Sequence, residues 1–163
     1  HYQCNMAAMI QLGAWFDSLR EQGVYDNTRI ILVSDHGHGM GQVPELIQED
    51  GMDGEAFYAL LMVKDFGATE FTASDTFMTV ADVPTLATQD LIQDPTNPFT
   101  GNSISSEDKT AHDQYLFRSF DWDISVNNGN TFLPGDWYTV HDDIWDRDNW
   151  KLVAENTVLD TER

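Results

Sequence analysis

Apolar residues recur every three or four positions at Met6, Met9, Ile10, Gly13, Phe16 and Leu19. That spacing predicts an amphipathic helix with its apolar stripe on a core, and Gly23 is placed to end it. The period then changes. Ile30-Ile31-Leu32-Val33 is a short β-branched run after the turn-forming Tyr25-Asp26-Asn27, which predicts a strand buried on both faces, as in an open parallel sheet. Residues 56–64 predict a second strand. Between them, residues 44–54 are rich in carboxylates and turn formers and predict a mobile segment able to act as a lid. Asp82 and Pro84 mark a helix start, running to about residue 93, where Asp94-Pro95-Thr96-Asn97-Pro98 stops it. Residues 102–110 are polar and loop-like. Aromatic-rich runs then alternate with turns at Asn127-Asn128-Gly129-Asn130 and Pro134-Gly135, which predicts an antiparallel meander of about four strands over residues 115–158. The expected fold class is α/β: a mixed sheet with flanking helices over residues 1–110, and a C-terminal antiparallel β meander over residues 111–163 packed on the same domain.

Chemistry concentrates where the first strand ends, in Ser34-Asp35-His36-Gly37-His38-Gly39. Beyond the carboxyl end of a strand, loops present side chains from a rigid base. Neighbours on a continuing strand point to opposite faces, so Asp35 and His36 can share one ion only if the chain leaves the sheet at about Ser34. The two glycines permit that bend. A carboxylate oxygen with an imidazole nitrogen suits zinc or manganese, whereas calcium and magnesium favour oxygen ligands throughout. The same residues also fit a plain strand-and-turn, with Asp35 capping backbone amides and His36 bonded to a carbonyl. Two ligands do not complete a site, since even a catalytic zinc takes three from protein.

From Trp15 to Gly37 the chain resembles the alkaline phosphatase and sulfatase superfamily, in the segment that ends Ser-Asp-His-Gly. The likeness continues in order: Ala59-Leu60-Leu61-Met62-Val63-Lys64 is similar to a family strand reading Pro-Leu-Leu-Ile-Lys, without the proline. Ala81-Asp82-Val83-Pro84-Thr85-Leu86-Ala87 is similar to Asp-x-x-Pro-Thr-Leu-Leu, one residue shorter, and Gly101-Asn102-Ser103-Ile104 to Gly-x-Ser-Leu. Tyr115-Leu116-Phe117 and Trp150-Lys151-Leu152-Val153 fit late strands of such enzymes. The resemblance implies an alkaline phosphatase-like C-terminal half. It also implies that Asp35 and His36 bind a divalent cation acting on a sulfate or phosphate ester, with the nucleophile in a missing N-terminal half of the same protein. Alone, this segment is expected to be inactive. His38 stands where many sulfatases carry Glu, open to roles as a ligand, a contact to the ester oxygens or a solvated loop residue. His112, beside Asp113, is a second candidate for substrate contact or a locally bonded loop imidazole. Lys64, at a strand end, is either a contact to an anionic substrate or a surface lysine. Membrane-anchored phosphoglycerol transferases of the lipoteichoic acid synthase type resemble sulfatases in this same region and form the alternative. Cys4-Asn5-Met6-Ala7-Ala8 is not the Cys-x-Pro-x-Arg of formylglycine formation, so Cys4 reads as a small apolar residue.

Composition narrows the partners. Twenty-eight acidic against eight basic residues give a net charge of -20, which excludes nucleic acid, because no basic run neutralises phosphates. The same field repels a free sulfate or phosphate ester unless a bound cation reverses it locally. The longest strongly apolar stretch, residues 56–63, falls far short of the roughly 20 residues that cross a bilayer, so this segment does not itself insert. Acidity and family likeness together favour the extracellular face of the cell membrane or secretion. Trp122, Trp137, Trp145 and Trp150, interleaved with aspartates, predict strand packing. Exposed, they would instead suit a noncatalytic carbohydrate-binding or calcium-binding module, although the acidic run at residues 141–148 lacks EF-hand spacing.

Overall fold

The computed structural model describes residues 2–119 and 133–157, a mixture of helix and antiparallel sheet in two compact units. The turn expected at Asn127–Asn130 and Trp122 lie outside the described residues.

The first unit, His1–Asp35 with Leu60–Asp75, contains α1 (Tyr2–Glu21), β1 (Ile30–Val33) and β2 (Leu61–Lys64). Gly23 follows the helix at φ 70° and turns the chain, as the sequence predicts. The stripe of α1 divides. Phe16 packs edge-on against Tyr25 at 5.9 Å, whereas Met6, Met9 and Ile10 remain exposed, as does Cys4. The apolar period therefore names the helix correctly but not its burial. β1 and β2 pair antiparallel, Ile30 opposite Lys64 and Val33 opposite Leu61. In place of a strand within a parallel sheet, β1 has one partner among the described residues, and of its four residues only Ile30 is buried. A short apolar run signals a strand without specifying its neighbours. Lys64 is half-buried and not a free surface lysine. Its Nζ donates to the carbonyls of Tyr25 and Thr28 and lies 4.4 Å from the centre of the Tyr25 ring, tying β2 to the turn before β1. Arg29 binds Asp65 at 2.9 Å and covers Phe66, closing the same end of the ladder.

The second unit, His36–Ala59 with Thr76–Arg163, holds α2 (Val83–Thr88), α3 (Ser106–Thr110), β3 (Gln114–Ser119), β4 (Gly135–Val140) and β5 (Trp150–Thr157). Of the meander of about four strands expected over residues 115–158, the described residues contain three, antiparallel and in chain order, with β4 central and most buried. Met52, Tyr138, Val140 and Trp150 make the core, edged by Phe57, Tyr58, Leu116 and Ile144. Residues 44–54 are not a loose rim. Leu46 and Met52 are each 1% exposed, and Ile47 bridges Asp53. The second strand starts later than its apolar run, because Gly54–Phe57 forms a 3-10 turn capped by the Asp53 carboxylate. Likewise α2 stops at Thr88, short of residue 93, where Asp90 adopts φ 67°.

Asp82 organises the approach to α2. Fully buried, its carboxylate accepts from the Thr79 amide and hydroxyl, from Asn97 Nδ2 at 2.8 Å, and pairs with Lys109 at 3.2 Å. Lys109 also donates to the Ile104 carbonyl. Burial alone would raise the Asp82 carboxyl, but these donors and the ammonium outweigh it and hold the group below the usual carboxylate range.

Candidate functional site

β1 ends at Val33 and the backbone bends at Asp35, the departure that a shared ion requires. Ser34 secures the exit within the first unit. Its amide donates to the Leu60 carbonyl at 3.0 Å and its hydroxyl accepts the Leu60 N–H at 2.8 Å. Asp35 is exposed and is the last residue of that unit's first segment, while His36, His38 and His112 belong to the second.

His36 is exposed, with Nδ1 2.5 Å from the Gly37 carbonyl oxygen. A carbonyl only accepts, so Nδ1 carries the proton, and in the neutral ring Nε2 holds the lone pair. Metal-bound imidazoles are oriented in this way, by a backbone carbonyl on the nitrogen away from the ion. Gly37 is required by close approach. A Cβ there would lie 2.1 Å from the Glu55 carbonyl oxygen and 2.6 Å from that of Tyr58, and its amide donates to Ala56.

The loop after His38 is held by two carboxylates that sequence reading passed over. Glu55 accepts from the amides of Met40 at 2.9 Å and Gln42 at 3.2 Å, and Asp53 Oδ2 accepts from Gly41 at 3.0 Å. A Cβ on Gly39 would come within 2.8 Å of that Asp53 oxygen. The available signal was a glycine-rich loop followed by closely spaced acids, since successive backbone N–H groups in such loops seek anionic acceptors.

His38 is exposed on this loop. His112 lies just beyond α3, with Nδ1 3.0 Å from the Asp108 carbonyl oxygen, the local bonding that its alternative reading describes. Its neighbour Asp113 pairs instead with His141 at 3.2 Å. Among the described residues, no three His, Cys, Asp or Glu side chains gather in an arrangement that could hold a metal ion. Asp35 and His36 fit a divalent cation in donor chemistry, and a further ligand is needed to complete the set. No helix among the described residues is long and apolar enough to cross a membrane. Compared with protein-family models, curated proteins and solved structures, the chain has no match.

Proposed function

We propose that the chain is the C-terminal part of a metal-dependent, sulfatase-like hydrolase of alkaline phosphatase-like fold, acting on sulfate or phosphate esters outside the cytoplasmic membrane. The nucleophile comes from an N-terminal half of the same protein. One observation carries this reading: Ser34-Asp35-His36-Gly37 closes a strand with a bend at Asp35 and with the His36 Nδ1 proton on the Gly37 carbonyl. In that tautomer Nε2 is the ring nitrogen with ligand chemistry, and Asp35, its neighbour in the chain, is the carboxylate that would join it. When bound, zinc or manganese supplies the positive charge that polarises an ester oxygen. It also offsets the field of a chain carrying -20, which otherwise repels the anionic substrate. Asp53 and Glu55 hold the following loop in place through its amides.

The test is a calorimetric titration of the whole chain with zinc, manganese, magnesium and calcium. Zinc or manganese is expected to bind with release of heat, weakened at least about tenfold in Asp35→Ala and in His36→Ala. Uptake of calcium alone, unchanged in both variants, would overturn the reading. With the upstream half joined, hydrolysis of paired aryl sulfate and aryl phosphate esters decides between the two esters, and glycerol-phosphate transfer in their place would favour the phosphoglycerol transferases.

A further inference from the structure

The turn between β4 and β5 carries an aromatic ring that the fold leaves uncovered. Trp150 is buried and Trp137 packs on Phe117, but Trp145 is 62% exposed. Its position is nevertheless fixed. Asp143 Oδ1 accepts the Trp145 N–H at 2.9 Å, Asp146 Oδ1 accepts that of Asp148 at 3.0 Å, and Asn149 Nδ2 donates to the Asp143 carbonyl. Tyr58 stacks on the indole at 4.3 Å with 26° between planes, and its hydroxyl donates to the Ile144 carbonyl. The ring is thus a backed plate. Beside it lies a shallow depression of about 430 Å³ lined by Glu45, Trp145, Asp146, Arg147 and Asp148. Arg147, the cation in that lining, has Nη1 3.4 Å from the Ile47 carbonyl oxygen.

We propose that this depression binds the guanidinium group of an arginine side chain on a basic partner peptide or protein. Guanidinium is planar and stacks on an indole face, and its fork of N–H donors matches carboxylates lining the same depression. Glu45, Asp146 and Asp148 supply those carboxylates. The long-range field agrees in sign, since a chain of net charge -20 steers basic partners toward it and anionic ones away. A neutral sugar would use the ring and donate hydroxyls to the acids, but would leave their charge uncompensated. The proposal stands apart from the metal-loop reading and uses none of its residues.

The experiment is a titration of the whole chain with an arginine tripeptide, following the indole N–H resonances, alongside the same peptide with citrulline, an uncharged isostere of arginine. Saturable movement of one indole resonance is expected with arginine and not with citrulline. The resonance that moves is absent in Trp145→Phe, which identifies it. Binding is expected to weaken about tenfold in Asp148→Asn and in Glu45→Gln, the scale of one charge-assisted pair, and to fall with added salt. Equal binding of citrulline, full binding by both charge variants, or no movement at millimolar peptide would overturn the proposal. So would a response to a methyl glycoside alone.

Discussion

A single methyl group is a sharp probe of the loop after β1. Gly37→Ala sets a Cβ against two carbonyl oxygens, and the expected loss is about 2–4 kcal/mol in urea unfolding. Gly13→Ala, where nothing lies within 4 Å, should instead gain up to about 1 kcal/mol by helix propensity. Asp82 makes a second residue-scale test. Asp82→Ala leaves Lys109 buried without its carboxylate partner, and a cost of about 3–5 kcal/mol is expected. The sign of its pH dependence follows from a depressed folded value. The stabilisation is present above the ordinary 3.8 and is lost as pH falls below it through the folded value. Thermal unfolding of the native chain should therefore decline more steeply below that pH than that of Asp82→Asn. Tyr138 behaves in the opposite sense. Burial first, and then its hydrogen bond to Asp50, push the phenol up to about 12. Its contribution is complete below the ordinary 10.0 and disappears as pH rises toward about 12, which Tyr138→Phe should abolish in an alkaline unfolding series.

At the scale of elements, what the sequence made legible was local. The helix start at Asp82 and Pro84 is visible because capping and proline chemistry act within one turn. The meander is visible for a similar reason, since its strands follow one another and pair with their chain neighbours. Pairing across a long excursion was not legible. Nothing in Ile30–Val33 says that its partner is antiparallel, or that three of its four residues escape full burial. The Ser-Asp-His-Gly exit was readable from residue types alone, while the Asp53 and Glu55 clamps depend on a fold that brings them back over the loop. Helix α1 shows the limit of periodicity: Ile10 is 64% exposed despite its place in the stripe. Ile10→Ser is accordingly expected to shift unfolding by no more than about 0.5 kcal/mol, against a larger loss for Phe16→Ala, which gives up its contact with Tyr25.

Over the whole molecule, charge dominates. Twenty-eight acids against eight bases repel one another in the compact state, so raising sodium chloride to about 0.5 M, where screening is within a few ångströms, should raise the melting temperature. The excursion between the two strands of the first unit has a different consequence, one of timing. Val33 and Leu61 sit opposite each other, so the chain must return to its own starting point before the last rung closes. The toll of that return grows with the size of the ring, and contacts between distant positions form late. In pulse-labelled refolding, the amide of Leu32 should become protected after those of β4 and β5, whose strands are joined by the shorter connection of residues 141–149.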